Sequence, residues 1–153
     1  MQQTSDSELM GRSLASAGGV TEQFRRALFE RFFSRHPERR HTFLNLEASS
    51  IRMTEETIEM MLGLSQNEDW VWPLVAELVF THRSYGRLPW EEYKTWMSYL
   101  VDEISVRSSD KWDDATEHAW RHWADQLLAL INNAREEWEK AMPPGYVDEL
   151  GKR

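Results

Sequence analysis

Residues 74–93 read LVAELVFTHRSYGRLPWEEY, and this stretch decides our interpretation of the fold. Apolar side chains in and just before it recur at the spacing of one face of a helix, at Val71, Val75, Leu78 and Val79. His82 is the next position on that face. A lone histidine on an apolar face is usually a core side chain that bonds a backbone carbonyl. The residues that follow His82, together with a second motif upstream, favour a role as a ligand instead.

The remaining chain also shows helical periodicity, and no stretch combines several alternating apolar positions with the residue pairs of a hairpin turn. We therefore predict an all-α fold of six to eight helices. A length of 153 residues supports one hydrophobic core and hardly two. The prediction is a single domain over residues 1–153, with loose termini at residues 1–6 and 143–153.

Capping residues, prolines and glycines set the predicted bounds of the helices. In the first half of the chain we predict helices over 7–17, 21–35 and 50–64, with a tight helical turn over 37–42. In the second half we predict three further helices: one that carries His82 and ends at Gly86, one that starts at Pro89, and a last one capped by Asp113 or Asp114. Gly18 and Gly19 are expected to close the first helix. We expect residues 44–50 to be irregular, and Asn67 or Asp69 to cap the helix that carries His82.

Composition and charge narrow the classes of function. The formal net charge of −8 opposes a broad surface for nucleic acid or anionic membranes, because such partners require a positive potential. The chain has no cysteine, and it shows neither a signal-peptide layout nor an apolar run of about 20 residues, so we expect a cytoplasmic protein. Eight Trp, six Phe and seven Met exceed what a small core requires, which suits a packed cofactor or the interface of a homodimer.

Three motifs, in this order, resemble those of a known protein family. They are FFSRHPERRHTF at residues 32–43, HRSYGRLPWEEY at residues 82–93, and an Ala-Trp pair at 119–120 with a further Trp three residues later. The matching positions are Pro37 and Phe43; His82, Tyr85, Gly86, Pro89 and Tyr93; and Ala119, Trp120 and Trp123. Over residues 20–133 the chain resembles the bacterial single-domain globins.

The resemblance implies a globin fold that binds haem b, with His82 as the protein ligand to the iron. One neutral imidazole holds the iron in such proteins, and its other ring nitrogen bonds an acceptor. The candidates for that acceptor are Ser84 and the carbonyl of Leu78. Phe43 is the implied phenylalanine packed flat against the porphyrin. The other implied cofactor contacts are Tyr85 at the corner and the proximal walls Leu88, Tyr93 and Met97.

The distal side of the implied pocket departs from the family. Relatives that hold oxygen tightly place a tyrosine on the second helix and a glutamine or histidine on the distal helix, because the gas gains partial negative charge. Phe29 stands at the tyrosine position, and Met53 at the usual donor position with Thr57 one turn further. If the alignment shifts, Arg52, Thr54 or Thr57 faces the gas. Without a strong donor we expect oxygen to dissociate quickly.

The proximal side departs as well. Many bacterial relatives carry a glutamate on the last helix that makes the histidine more electron-donating, but here that position falls near Ala134, with Glu136 two residues away. This disfavours peroxidase chemistry. The resemblance implies reversible binding of oxygen, carbon monoxide or nitric oxide for storage or scavenging. A nitric oxide dioxygenase or weak peroxidase activity would require an external reductase. The alternative is a haem-free globin-like interaction or sensor module that binds a protein partner through aromatic surface.

Other polar constellations receive simpler interpretations. His118 and His122 are spaced four residues apart, which permits metal chelation, but no third ligand is evident and we predict a solvated or packing role. Acidic pairs such as Glu91-Glu92 stand near predicted helix starts, where negative charge complements the helix dipole.

Overall fold

Six α-helices form the chain in its computed structural model, which describes residues 4–83 and 88–141. The helices are α1 (Asp6–Ser16), α2 (Glu22–Arg35), α3 (Leu46–Ser65), α4 (Val71–Arg83), α5 (Trp90–Ser108) and α6 (Asp114–Ala141). Two short 3-10 turns, Pro37–His41 and Ser109–Lys111, follow α2 and α5. No strand occurs within the described residues, so the all-α prediction is confirmed.

Glycine and aspartate end and begin helices as the sequence predicts. At the end of α1, Gly18 and Gly19 have φ angles of +85° and +74°, which are unhindered only in glycine. Their N–H groups bond to carbonyls of the preceding turn at 3.0 Å. Asp113, rather than Asp114, caps α6, because its Oδ1 accepts the N–H of Thr116 at 2.8 Å.

The start of α3 differs from the prediction. Residues 44–50 were expected to be irregular, but α3 begins at Leu46. The cause is the side chain of Asn45, whose Oδ1 accepts the N–H of Ala48 at 3.1 Å and satisfies a donor of the first turn. The prediction of an irregular segment is therefore wrong from Leu46 onward.

The connection between α3 and α4 also corrects a prediction. Asn67 has a φ of +55° and ends α3, since the N–H groups of Asn67 and Glu68 bond to carbonyls of its last turn at 3.0 and 2.9 Å. Asparagine tolerates this left-handed conformation better than most residues. Because α4 begins only at Val71, the prediction that Asn67 or Asp69 caps it is wrong.

A glycine lets α3 and α4 approach each other closely. A Cβ atom on Gly63 would lie 2.7 Å from Cζ2 of Trp70 and 2.8 Å from Cγ2 of Val71. Such distances are well inside van der Waals contact, so a larger residue would push the two helices apart. The close approach fixes the beginning of α4, and hence the direction of the helix that carries His82.

A continuous hydrophobic core joins the helices. α6 packs against α1, α3 and α4, and α2 packs against α5. Helical spacing in the sequence predicts an inner stripe of α3 at Thr54, Thr57, Ile58 and Met61, and all four residues are buried. The inner faces that the same spacing predicts for α2 and α5 are also buried, except for the half-buried Ala27 and Tyr93. Trp120 on α6 is fully buried, and its Nε1 donates to Oγ of Ser13 on α1 at 2.8 Å. This core leaves α4 as one wall of a cavity.

No helix within residues 4–83 and 88–141 is both long enough and apolar enough to cross a lipid bilayer. Several features of the sequence interpretation lie outside the described residues: the corner residue Tyr85, the predicted helix end at Gly86, the candidate acceptor Ser84, the predicted tail 143–153 and residues 1–3 of the predicted loose start. The prediction of a loose start over 1–6 is wrong at its end, because Ser5 caps α1 and Asp6 is its first residue.

Candidate functional site

A cavity of about 280 Å³ lies between α3 and α4, and side chains of α5 complete its wall. Its volume is near the lower end of the range of about 300 to 1,000 Å³ that is typical of small-molecule sites. Seven of the predicted site residues line it: Phe43, Met53, Thr57, His82, Leu88, Tyr93 and Met97. Of the two further alternatives for the residue that faces the gas, Arg52 lines the cavity and Thr54 does not. Phe29 does not line it either, and Tyr85 lies outside the described residues.

His82 stands on the wall that α4 contributes. Its Nδ1 is 2.8 Å from the carbonyl oxygen of Leu78, one turn back on the same helix. This contact makes Nδ1 the donor and leaves Nε2 as the basic nitrogen of a neutral ring. Burial lowers the pKa of His82, and the bond to Leu78 only partly opposes that effect. His82 is therefore a fixed, neutral imidazole beside a cavity, as a metal ligand must be.

Tyr93 lies on α5 beside the histidine, with the two ring centroids 6.2 Å apart. Burial raises the pKa of Tyr93 to about 12, so its hydroxyl is neutral over the physiological range. The guanidinium of Arg135 on α6 lies 5.4 Å from the Tyr93 ring and 5.2 Å from the Trp90 ring. It also donates to the carbonyl of Leu88 at 3.0 Å. The group behind Tyr93 is thus a cation, whereas many of the globins that the sequence motifs resemble have a carboxylate there.

The opposite wall belongs to α3, which contributes Met53 and Thr57. The Thr57 hydroxyl donates to the carbonyl of Met53 at 2.6 Å and accepts the indole N–H of Trp96 at 3.2 Å. Its single hydrogen is therefore already used within the wall. Thr54 is fully buried outside the lining. Sequence reasoning placed Trp96 on the apolar face of α5 but did not identify it as a residue that lines the cavity.

Phe43 lines the cavity, and Phe29 stands directly behind it. The Phe29 ring makes edge contacts with the rings of Phe33, Phe43 and Trp96, with centroids 5.7, 5.7 and 5.1 Å away. Such edge-to-face packing fixes the orientation of aromatic side chains. Phe29 therefore supports the wall instead of facing the cavity, whereas Phe43 is placed to contact a ligand.

Charged side chains surround the solvent side of the cavity. Arg52 on α3 bonds Glu56 through Nε at 3.1 Å, and its Nη2 lies 3.9 Å from Oε1 of Glu77 on α4. The Arg52 side chain is 61% exposed, so it can change partners at little cost. It thus bridges the two helices that form the cavity and offers a positive charge to an acidic ligand.

A second arginine at the cavity is held more firmly. Arg39 makes two bonds to Glu92, from Nε to Oε1 at 2.5 Å and from Nη2 to Oε2 at 2.7 Å. Glu92 is buried, and the bonds to it raise the pKa of Arg39 above its usual value. The sequence interpretation assigned Glu92 only to the helix dipole. No sequence signal links two residues 53 positions apart, and only the fold brings them together.

The residues present fit haem by three criteria. The cavity offers a neutral imidazole with a carbonyl acceptor behind it, which is the ligand that haem iron takes in globins. Its walls carry apolar and aromatic side chains suited to a flat macrocycle, among them Phe43, Leu78, Leu88 and Met97. Arg39 and Arg52 also line it, and guanidinium groups pair well with carboxylates such as those of haem.

Two other histidine clusters are weaker candidates for a site. The rings of His118 and His122 stack at 6.1 Å on the exposed side of α6. Within the described residues, the one group of three metal-competent side chains is His36, Glu38 and Glu92. Both carboxylate oxygens of Glu92 are bound to Arg39, so a metal ion there would have to displace the arginine.

No protein-family model matches the chain, and no curated protein or solved structure matches it either. The resemblance to globins therefore depends on the three sequence motifs alone.

Proposed function

We propose that this chain is a globin that holds haem b through His82 and reversibly binds a diatomic gas. The observation that carries the proposal is the position of His82: a half-buried, neutral imidazole on a cavity wall, with Nδ1 bonded to Leu78 and Nε2 left for a metal. When bound, haem would supply an iron atom at which oxygen, carbon monoxide or nitric oxide can bind.

The bond from His82 to Leu78 has two effects in this proposal. It fixes the tautomer, because a ring that donates from Nδ1 presents a lone pair at Nε2. It also fixes the plane of the ring, since the acceptor belongs to the same helix and cannot move independently. The contact with Tyr93 limits rotation from the α5 side. The ligand is thus oriented before the cofactor arrives.

Apolar side chains around the cavity would retain the cofactor and exclude water. Phe43 is held from behind by Phe29 and Phe33, so its ring is a firm surface rather than a mobile one. Leu88 and Met97 complete the lining on the side of His82. A dry pocket slows the loss of a hydrophobic cofactor, because leaving exposes both the cofactor and the wall to solvent.

The arrangement favours gas binding over peroxidase catalysis. A carboxylate near the proximal histidine would increase its donation of electrons, but the side chain that approaches Tyr93 is Arg135. A positive charge there has the opposite effect. Nitric oxide dioxygenation is compatible with these residues if an external reductase supplies electrons.

The test is the absorption spectrum of the purified protein. The wild type is expected to show a Soret band after expression or reconstitution with haem, and His82→Ala is expected to lose it. Addition of imidazole to His82→Ala should restore a spectrum, because a free imidazole can occupy the same position. His118→Ala, which changes an exposed histidine, is the matched control and should retain the band. A wild type that takes up no haem, or a His82→Ala variant with an unchanged spectrum, would overturn the proposal.

A second candidate function is supported by exposed apolar side chains. Phe80 and Leu44 are 59% and 103% exposed, and Trp72 is 43% exposed. Exposed aromatic residues on one helix are typical of protein–protein contacts. They favour a haem-free interaction or sensor module with a globin-like fold. In that case Trp72→Ala and Phe80→Ala would abolish partner binding, and His82→Ala would leave it intact.

A further inference from the structure

The side of α4 that points away from the core is apolar. The buried residues of this helix are three valines, and its outward side carries an exposed stripe of Trp72, Pro73, Ala76 and Phe80, which we call the outer α4 face. A helix that is apolar on more than one side is normally covered on each of them. None of these four residues lines the cavity beside His82, so a ligand in that cavity leaves the outer α4 face open.

The two large rings of this face are accessible, and one of them is held in place. Trp72 is 43% exposed and Phe80 is 59% exposed. The Phe80 ring stands edge-on to the ring of Trp138 on α6, with centroids 5.0 Å apart and an interplanar angle of 89°. Such packing orients the Phe80 ring before a partner arrives. Rigid aromatic side chains are the usual anchors of protein interfaces, because little rotamer freedom is lost on binding.

The spacing of the outer α4 face makes it complementary to itself. Trp72 lies four residues before Ala76 and Phe80 lies four residues after it, so a small side chain stands midway between two large rings. If a second copy of α4 crosses in the antiparallel direction with Ala76 on the two-fold axis, each Trp72 meets the Phe80 of the other copy. The two alanines then permit the helix axes to approach closely. A second copy of the chain therefore supplies the pattern that this face requires.

The charges at the border of the outer α4 face permit a second copy to approach. The chain has a net charge of −8, which makes two copies repel each other, but the four residues of the face are uncharged. Acidic side chains at the border lie beside basic ones: Glu77 is 3.9 Å from Arg52, and Glu137 on α6 is 3.7 Å from Lys140. The border thus adds little net charge to the contact.

The antiparallel direction also separates the acidic residues that precede α4. Glu68 and Asp69 stand eight and seven residues before Ala76, so those of two copies would lie at opposite ends of the pair, about 20 Å apart. This separation exceeds the Debye length of about 8 Å, and their repulsion is largely screened. They approach the end of the partner helix, where Arg83 is basic and only 9% exposed. In a parallel pair the same carboxylates would stand side by side.

The area of the outer α4 face sets the strength of the association. A fully buried aromatic side chain contributes roughly 150 to 250 Å², so the exposed parts of Trp72 and Phe80 offer about 100 Å² each. Two copies together, with Pro73 and Ala76, bury less than the area of about 1,200 Å² at which stable complexes begin. A contact of this size is typical of a weak and reversible association.

We propose that the outer α4 face binds the same face of a second copy of this chain and forms a weak antiparallel dimer. Two aromatic rings from each copy make the contact, and the two Ala76 residues meet on the axis. The cavities beside His82 stay open, because the residues of α4 that line them belong to another side of the helix. The association does not require haem, and it is tested on the haem-free chain.

Sedimentation equilibrium of the full haem-free chain over about 1 to 500 µM measures the association. The wild type is expected to form dimers with a dissociation constant of about 10 to 100 µM. Ala76→Arg places two like charges on the axis and should raise that constant about a hundredfold or more. Ala129→Arg introduces the same side chain at an exposed alanine of α6 and should behave as the wild type.

A mixture of two charge variants tests the position of the axis. Ala76→Arg and Ala76→Glu should each be monomeric, because residue 76 of one copy faces residue 76 of the other. An equimolar mixture should recover dimers, since opposite charges then meet on the axis. Recovery of this kind requires self-pairing at this position, and a merely destabilised fold would not produce it.

A wild type that stays monomeric over the whole range would overturn the proposal and would leave the outer α4 face to a different protein. Dimers that persist in Ala76→Arg would place the interface elsewhere and would also overturn it. Failure of the mixture to associate would exclude Ala76 as the residue on the axis. Circular dichroism checks that each variant is folded. If Ala76→Arg is unfolded, Trp72→Ala decides, since it removes one ring of the contact and should likewise give monomers.

Discussion

Met53 and Thr57 determine whether the wall formed by α3 offers a hydrogen-bond donor to a polar gas. The only hydroxyl hydrogen of Thr57 is directed to the Met53 carbonyl, and the thioether of Met53 has no hydrogen to donate. Arg52 lies toward solvent and is paired with Glu56. The wall therefore has no hydrogen-bond donor directed at the cavity from Met53 or Thr57, the two positions considered from the sequence resemblance. Oxygen is accordingly expected to dissociate quickly.

Met53→Gln is expected to slow oxygen dissociation by about ten- to a hundredfold, because a hydrogen bond to a partly charged acceptor contributes about 1.5 to 3 kcal/mol. Carbon monoxide, which is less polar, should be affected far less. Stopped-flow measurement of both dissociation rates checks this. Met53→Leu keeps the wall apolar and should match the wild type. Phe29→Tyr should also match it, since that ring does not line the cavity. Slow dissociation from the wild type, unchanged in Met53→Gln, would reveal an unrecognised donor.

Sequence reasoning could place a residue at the cavity where the pattern along a single helix was sufficient. It could not do so where the position depends on contacts between helices. His82 was predicted because its neighbours on one helix are spaced three, four and seven residues away. Phe29 was assigned to the cavity from the family pattern, but its ring is turned toward Phe33 and Trp96. A rotation of α2 by a fraction of a turn decides whether Phe29 faces the cavity or the neighbouring rings. The periodicity of apolar residues does not fix the rotation of a helix that accurately. The pairing of Arg39 with Glu92 depends wholly on the tertiary fold.

Helix boundaries show a similar limit among single elements. Asparagine stands near both ends of α3, and the sequence does not reveal the role of each. Asn45 begins the helix through its side chain, whereas Asn67 ends it through a left-handed backbone. Both uses are typical of asparagine. Gly18 and Gly19 were easier to interpret, because two consecutive glycines favour only a helix end.

The Asp113 side chain, which caps α6, makes the stability of the fold depend on pH. Hydrogen bonds from Thr116 hold the pKa of Asp113 below its usual value. A carboxylate with a lowered pKa in the folded state stabilises the fold above its unfolded pKa of about 3.9, and this contribution is lost as pH falls through the folded pKa. Asp113→Asn keeps a capping oxygen but cannot be protonated in this range. Relative to Asp113→Asn, the wild type is therefore expected to lose stability below about pH 4.

Urea unfolding of both proteins at neutral pH and in steps down to about pH 3 measures this difference. The two free energies of unfolding should be similar at neutral pH and should diverge in acid, with the wild type falling more steeply. Parallel curves would show that the hydrogen bond from Thr116 to Asp113 does not persist in solution.

The molecule as a whole is built from helices that pack on α6 at one side and leave a cavity between α3 and α4 at the other. Its core is continuous around α2, α5 and α6, where side chains such as Phe24, Leu100 and Trp120 are fully buried. α4 is the exception. It contributes few buried residues and carries exposed Trp72 and Phe80, so its position depends on contacts at its ends and on what occupies the cavity.

Occupation of the cavity should therefore be linked to the stability of the whole fold. A ligand that binds only the folded chain stabilises it by RT ln(1 + [L]/Kd), which is about 2.7 kcal/mol at a hundredfold excess over Kd. Haem is expected to raise the unfolding temperature of the wild type by several degrees. Phe43→Ala should reduce that rise and speed haem transfer to an acceptor protein, because it removes an aromatic wall.

The control for this last prediction is Phe80→Ala, which removes an exposed ring of the same size from the outside of α4. Phe43 also packs on Phe29 and Phe33, so Phe43→Ala lowers the stability of the haem-free protein as well. The informative quantity is therefore the difference between haem-loaded and haem-free unfolding temperatures within each variant. Phe80→Ala should keep the wild-type difference and transfer rate. Equal differences and equal transfer rates in Phe43→Ala and the wild type would show that Phe43 does not contact the cofactor and that its ring only supports the aromatic cluster behind it.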